Sequence, residues 1–345
     1  MKKQKRFLLF RLSSLGDIVL TTFLPKLLKE TYPECRIDFI TTKNFSDIYK
    51  YNPYIDNLII YDKKWDKSQI NKNKKELLES VGKYDYFIDL HNTHRSRFFS
   101  KGIAENITRI KKNRVEKLAL VYLKKNLFPK DYSIVNNYLN SLTFIENKNL
   151  SLETKIYLEG DTTSKINLIN KKMPTASASF RIAIAPGAKH FTKRYPAEKL
   201  IEFANELSKI ADCHFVLLGS NDEIEPCAAI SAGLGKLSTN LAGKTNILES
   251  VQELSNCDLL VTNDSGLMHI AAARNVPVIA IFGSTIKEFG FAHYRENFTI
   301  ISVDLKCRPC THIGRKSCPK GHFNCMNLIT SETLTETAKK ILKIN

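Results

Sequence analysis

The stretch Val261-Thr-Asn-Asp-Ser-Gly-Leu-Met-His-Ile-Ala-Ala-Ala273, followed by Pro277-Val-Ile-Ala-Ile-Phe-Gly-Ser-Thr285, decides the fold. Its first part reads as an apolar strand, Asp258 to Thr262, that runs through Asn263-Asp264-Ser265-Gly266 into a helix carrying His269 one turn in. Its second part reads as another strand, Val276 to Phe282, that ends in the small-residue turn Gly283-Ser284-Thr285. A strand, a tight turn and a helix in that order aim backbone N–H groups and the positive end of a helix dipole at one spot, which favours a phosphate. A carboxylate, a hydroxyl and an imidazole beside that spot suit a sugar. In open α/β sheets, ligands sit at the carboxyl ends of parallel strands, where both turns fall.

Working outward, short apolar strands alternate with amphipathic helices, the pattern of α/β folds with parallel sheets. In the first half, 7–12, 36–41, 57–62 and 85–90 read as strands, and 18–31, 68–81 and 115–123 as helices. In the second half, strands are expected at 181–185, 214–218, 258–262, 276–282 and 298–303. Helices are expected there at 197–210, 224–232, 247–256 and 266–274, with a terminal helix from Ser331. The polar, small-residue stretch Glu159–Phe180 contains Pro174 and reads as a linker. The expected organisation is an N-terminal domain over 1–165, a linker over 166–180, a C-terminal domain over 181–330 and a helix over 331–345 that packs back on the N-terminal domain.

The 345 residues suffice for two cores, and 43% hydrophobic with 25% charged residues is ordinary for a globular enzyme. No apolar run approaches the roughly 18–20 residues of a bilayer span. The basic start, Met-Lys-Lys-Gln-Lys-Arg, looks like the opening of a signal peptide, but Arg11 interrupts the apolar run and Ser-Ser-Leu-Gly-Asp is a poor cleavage site. The expected location is therefore cytoplasmic. The net charge of +17 has a bland source in a Lys-, Asn- and Ile-rich composition, and a functional one in attraction to an anionic surface. No RNA-binding module or zinc-finger spacing accompanies the lysines, so a membrane surface is expected and nucleic acid is not.

The run Asp264-Ser265-Gly266-x-x-His269-x-Ala271, with Pro277 and Phe282-Gly283-Ser284-Thr285 after it, resembles the signature of glycosyltransferase family 9, the ADP-heptose:lipopolysaccharide heptosyltransferases and their relatives. Arg11-Leu-Ser13-Ser-Leu-Gly16-Asp17-Ile-Val-Leu, with Pro25 downstream, is similar to that family's opening strand, loop and helix. Pro186-Gly187-Ala188 leading to Lys193-Arg-Tyr195-Pro196, and Leu218-Gly219-x-x-x-Glu223, also match. The resemblance covers most of the chain and keeps the motif order. It implies the GT-B architecture, an α/β fold of two Rossmann-like domains facing a central crevice. It further implies an inverting transfer of heptose from ADP-heptose to the lipopolysaccharide inner core, on Kdo-lipid A or a heptosylated acceptor, by an enzyme peripheral to the inner face of the inner membrane. The neighbouring reading keeps the fold with another nucleotide-sugar donor or glycan acceptor.

Inverting transfer needs a base at the acceptor hydroxyl and a cation at the leaving diphosphate. Asp17, after the first strand, aligns with the family's proposed base, and it is equally placed to cap the following helix. Gly16 is expected to free the turn, and Ser13 and Ser14 to donate to acceptor or diphosphate oxygens. By resemblance Lys193 neutralises the diphosphate, although Lys189 and Arg194 compete for that role in the same loop. Gly187 and Ala188 let the backbone approach the donor. Glu223 is expected to hold the nucleotide ribose, with Asp222 its rival. Asp264 is expected to bind the transferred sugar and the N–H groups of Ser265 and Gly266 the diphosphate, while His269 faces the same side as Ser265 or simply packs. On the acceptor side, Asp89-Leu-His91-Asn92-Thr-His94-Arg95-Ser-Arg97 offers His91, Arg95 and Arg97 to carboxylates and phosphates, or else forms a solvated turn.

No cofactor and no catalytic metal are expected, since the crevice loops lack an Asp-x-Asp motif. Cys307, Cys310, Cys318 and Cys325 read as a structural loop near the site, with a four-thiolate zinc site as the alternative. That alternative supports a distant reading, a zinc-containing nucleic-acid-binding protein. A dinucleotide dehydrogenase is disfavoured because Gly233-Leu-Gly235 lacks the third fingerprint glycine, and there is no P-loop.

Overall fold

A computed structural model of the chain describes residues 4–145, 152–161, 179–292 and 296–344. It divides into two units, Met1–Asn113 with Tyr132–Ser164, and Arg114–Asp131 with Lys165–Asn345. The segment Arg114–Asp131 thus packs with the C-terminal unit, although it lies within the stretch assigned from sequence to the first domain. The expected linker 166–180 lies outside the described residues except for Ser179 and Phe180. No helix among the described residues is long and apolar enough to cross a membrane.

The N-terminal unit is built on five parallel strands, β1 (Arg6–Phe10), β2 (Arg36–Thr41), β3 (Asn57–Ile60), β4 (Tyr84–Asp89) and β5 (Ala104–Arg109), in the order β3-β2-β1-β4-β5. Its central strand reads Arg-Phe-Leu-Leu-Phe, and Phe7, Leu8, Leu9 and Phe10 are all fully buried. Such continuous apolar runs mark a parallel strand covered on both faces. Leu8, Phe10, Phe87 and Phe99 share one core with Tyr61, against which Trp65 packs. The helix expected over 18–31 is two helices, Leu15–Leu20 and Phe23–Thr31. At the break the Thr21 and Thr22 hydroxyls donate to the carbonyls of Ile18 (2.8 Å) and Val19 (2.7 Å), competing with the backbone ladder.

The C-terminal unit is built on six parallel strands, β6 (Phe180–Ala185), β7 (Cys213–Leu217), β8 (Ser238–Asn240), β9 (Leu259–Asn263), β10 (Val278–Ile281) and β11 (Phe298–Ile301). Their order is β11-β10-β9-β6-β7-β8. Counted from its own first strand this is the order of a Rossmann fold, and the N-terminal sheet repeats five-sixths of it. Strand order reverses at β1/β4 in one sheet and at β6/β9 in the other. Connections leaving the two strands of each pair go to opposite sides, which opens a gap for a ligand at their carboxyl ends.

The terminal helix, Ser331–Leu342, packs on helix Ala197–Ser208 within the C-terminal unit. Its Leu334 and Ala338 are fully buried in the core that holds Phe203, Leu207 and Ile184. The Ser331 and Thr335 hydroxyls donate to the two carboxylate oxygens of Glu206, at 2.9 and 2.8 Å, which fixes the helix in register on its neighbour.

Candidate functional site

The residues singled out from sequence gather at the two switch points, each within its own unit. In the N-terminal unit, the loop after β1 carries Arg11, Ser13 and Ser14 into helix Leu15–Leu20, where Asp17 lies in the first turn. Asp17 Oδ2 accepts from the Ser14 amide (3.3 Å) and hydroxyl (2.8 Å), so it does serve the helix end. The same oxygen is 2.7 Å from Arg11 Nη2, and Oδ1 accepts from the Tyr138 hydroxyl at 2.9 Å. Gly16 is buried inside the helix and is not at a turn needing glycine's freedom, which corrects the expectation for it. Burial pushes the Asp17 carboxyl up, but the Arg11 guanidinium and the Ser14 and Tyr138 hydroxyls outweigh it and hold the group below the usual carboxylate range. Asp17 is therefore a carboxylate at neutral pH, with its side chain still 18% exposed.

Arg11 also reaches the carbonyl of Leu90 through Nη1, tying the ends of β1 and β4 together. At the end of β4 the buried Asp89 organises the next loop. Its Oδ1 accepts from the amides of His91 (3.1 Å) and Asn92 (2.6 Å), and its Oδ2 from the Ser96 hydroxyl (2.9 Å). This turns the chain into helix His94–Ser100, from which Arg95 and Arg97 stand exposed. Arg97 is oriented by two bonds to Asn92 Oδ1, at 3.1 and 3.0 Å. Burial, with the charges of Arg11, Lys112 and Lys63, pushes His91 down to about 4. His91 is thus a neutral hydrogen-bonding ring at pH 7, and its buried Nδ1 has no partner among the described residues.

In the C-terminal unit, β6 ends in Pro186-Gly187-Ala188 and β9 in Asp264-Ser265 before helix Gly266–Ala273. Asn263 clamps the two ends, since its Nδ2 donates to the Pro186 carbonyl (2.6 Å) and its Oδ1 accepts from the Tyr195 amide (3.1 Å). The structure separates the three competing cations of the loop. Lys193 Nζ lies 2.7 Å from Asp264 Oδ2, Arg194 Nε donates to the Ala188 carbonyl at 2.8 Å, and Lys189 is exposed. Thr285 Oγ1 donates to the same Asp264 oxygen at 2.7 Å, which leaves Oδ1 without a bond among the described residues.

Ser265 makes no side-chain cap to the helix it opens, and its hydroxyl sits 3.2 Å from that of Thr262. Its helix start, beside Lys193, therefore presents N–H groups that the cap side chain does not occupy. His269 is buried at 3% exposure, with its ring 6.3 Å from that of Phe291. Glu223 Oε2 accepts from the Ser220 amide (2.7 Å) and hydroxyl (3.0 Å), and Asp222 is exposed. Glu223 and Gly187 meet closely, because a Cβ built on Gly187 would lie 1.8 Å from Glu223 Oε1. Glycine at 187 is what lets the Glu223 carboxylate lie across the end of β6.

The cysteine-bearing loop belongs to this neighbourhood. The Thr192 hydroxyl accepts from the Arg315 amide (2.8 Å) and the Ser284 hydroxyl (3.0 Å). Arg308 donates to the carbonyls of Gly283 (2.5 Å), Phe282 (2.8 Å) and Thr285 (2.9 Å), holding the turn that carries Thr285. All eight cysteines are free, and Cys307 Sγ lies 3.9 Å from His322 Nε2. Among the described residues no three His, Cys, Asp or Glu side chains converge as metal ligands.

Sequence reading missed Tyr138, which sits 121 positions from its partner Asp17. Nothing local marks it. The roles of Asn263, Thr285 and Arg308 were also missed, although the first two stand inside the quoted motif.

Comparison with known proteins places the chain among relatives. The family model described as glycosyltransferase family 9 (heptosyltransferase) matches residues 71–320. The lipooligosaccharide heptosyltransferase 2 of Campylobacter jejuni is 29% identical over 95% of this chain and 96% of its own. The lipopolysaccharide heptosyltransferase 1 of Campylobacter coli is 25% identical over 96% of this chain and 98% of its own. Among solved structures, a glycosyl transferase family 9 protein from Veillonella parvula superposes with a TM-score of 0.79 at 21% identity, covering 100% of this chain and 99% of its own. The ADP-heptose lps heptosyltransferase II of E. coli gives 0.71 at 21% identity, covering 98% of each chain.

The ion pair makes a prediction independent of any substrate. Tyr138→Phe removes one donor to Asp17 while keeping the ring under Arg11, so the Asp17 pKa should rise. Carboxyl-carbon NMR across a pH titration would read the shift, and an unchanged value would mean that the Tyr138 bond is not made in solution. Because the folded pKa is the lower one, the stability it contributes is present above the unfolded pKa and is lost as pH falls through the folded value.

Proposed function

Because the chain belongs to glycosyltransferase family 9, we propose that it transfers heptose from ADP-heptose to the inner core of lipopolysaccharide, with inversion at the anomeric carbon. The observation that carries the donor half is the Lys193–Asp264 pair at the β6/β9 switch point, 2.7 Å apart beside an uncapped helix start. Lys193 and the first-turn N–H groups after Ser265 meet the diphosphate and stabilise the charge that grows on it as the sugar–phosphate bond breaks. Asp264 orients Lys193 with Oδ2 and keeps Oδ1 for a hydroxyl of the transferred sugar. Glu223, lying against Gly187, takes the ribose hydroxyls in the manner of acids at strand ends.

Asp17 serves as the base. Arg11 keeps it ionised, and Oδ1, which accepts from the Tyr138 hydroxyl, has a second lone pair for the acceptor proton, whereas Oδ2 is filled by Arg11 and Ser14. A carboxylate of lowered pKa is a weak base, so it takes the proton late, once the acceptor oxygen has begun to bond to the anomeric carbon and has become acidic. The acceptor oxygen then carries the new bond to the sugar, the diphosphate leaves with the old bonding pair, and Asp17 holds the proton. Ser13 and the exposed Ser14, Arg95 and Arg97, with the neutral ring of His91, recognise the carboxylates and phosphates of an inner-core acceptor. Such an acceptor is anchored in lipid, which places the enzyme on the anionic inner face of the inner membrane.

The direct test is mass spectrometry of a Kdo–lipid A acceptor, with and without one heptose attached, after incubation with ADP-heptose. A heptose-sized gain on one of them is expected, and Asp17→Asn should reduce its rate by about 10²–10⁴-fold while leaving ADP affinity nearly intact. Absence of any gain with ADP still bound would reject this donor–acceptor pairing. Gly187→Ala should displace Glu223 and weaken ADP binding, and Glu223→Ala should then add little to it. Fully additive losses would remove the Gly187–Glu223 contact from the donor site.

A further inference from the structure

One exposed surface is left unused by that chemistry. Residues Arg114–Leu118 form a short α-helix that continues into a π-helical turn, Ala119–Leu123. Within this ten-residue element Ala119, Leu120 and Val121 are buried at 6–7% exposure. Its other apolar residues stand in solvent. Val115 is 70% exposed, Leu118 51%, Tyr122 69% and Leu123 67%, and Leu127 follows at 54%. These are five of the thirteen large apolar side chains exposed among the described residues, so the clustering is not the scatter that any surface has. The field of Lys117 reaches His312, whose neighbour Ile313 is exposed as well.

Charge decides what covers this face. Arg114, Lys117, Lys124, Lys125 and Lys130 flank it along the chain, against the carboxylates of Glu116 and Asp131. Lys124 Nζ is bound to the carbonyls of Pro309 (2.6 Å) and Cys307 (3.4 Å), which fastens the end of the element to its own unit and fixes the face it presents. A second copy of the chain would set this cationic rim against itself. A nucleic acid would satisfy the cations and leave the leucines and valine in water. A bilayer with anionic headgroups satisfies both, since apolar side chains enter the boundary region while the cations remain at the phosphates.

We propose that residues 114–127 form a membrane-docking element that lies in the headgroup region of an anionic phospholipid surface. The inference deepens the proposed function and rests on it for the membrane-borne acceptor, but the docking itself is independent of catalysis.

The experiment is co-sedimentation of the full-length protein with phosphatidylcholine vesicles, with and without phosphatidylglycerol. Binding is expected only to the anionic vesicles and should weaken with salt. Leu118→Glu/Tyr122→Glu should lower the affinity at least about tenfold, and Lys117→Glu/Lys125→Glu should remove the preference for phosphatidylglycerol. All four side chains lie outside the proposed site, so transfer to a delipidated acceptor should be unchanged in both variants. No binding by the native chain, or equal binding by the Leu118/Tyr122 variant, would overturn the proposal. So would a native dimer, seen by light scattering, that the variant splits while vesicle binding persists. Vesicle binding that depends on these residues in a protein without transfer activity would sustain the docking element and reject the transferase reading.

Discussion

Parallel strands impose one constraint on everything else in this molecule. Every strand in each sheet delivers its carboxyl end to the same edge, and the chain must cross back before pairing again. Loops at that edge begin from a rigid ladder and can hold functional side chains within narrow limits. Where the strand order reverses, between β1 and β4 and between β6 and β9, neighbouring connections diverge and leave the edge open. The ion pairs assigned to chemistry lie at those two points. Arg11 and Asp17 follow β1, Lys193 follows β6, and Asp264 follows β9.

Both pairs are mostly withdrawn from water, at 11% and 18% side-chain exposure for Arg11 and Asp17 and 15% and 12% for Lys193 and Asp264. Pairs of this kind contribute little net stability, because desolvation offsets the attraction, whereas leaving one partner alone costs about 3–5 kcal/mol. They are better understood as devices that fix a charge in place. Arg11 guarantees an ionised Asp17 against the pull of burial. Asp264 holds Lys193 at the helix start and keeps it from joining Lys189 and Arg194 as one more cation in a basic loop. Second contacts stabilise each device: Tyr138 and Ser14 on Asp17, Thr285 on Asp264, and Arg308 behind Thr285.

Much of this was legible in the sequence because it is local. The strand–turn–helix runs around Asp17 and Asp264 announce themselves by apolar runs that stop at small and acidic residues, and the central strands read clearly because burial on both faces leaves them continuously apolar. Elements at the margins did not announce themselves. Strand β5 reads Ala-Glu-Asn-Ile-Thr-Arg and is mostly exposed, and β8 is the three residues Ser-Thr-Asn, so neither carries a hydrophobic signature. Contacts between distant positions were also out of reach. Tyr138 is one tyrosine among thirteen until the fold brings it to Asp17. The terminal helix shows an amphipathic face without showing which surface it covers, and Glu206 reveals that only by pairing with Ser331 and Thr335. Resemblance supplied the basic loop and named Lys193 within it, and the structure shows what each of the loop's cations contacts.

The central claim is that the donor diphosphate belongs to the β6/β9 switch point. A crystal structure of the full chain with ADP tests it most directly. The account predicts diphosphate oxygens within hydrogen-bond distance of Lys193 Nζ and of the amides at Ser265 and Gly266, with the ribose at Glu223. A diphosphate held instead by Ser13, Ser14 and Arg11 after β1 would contradict it.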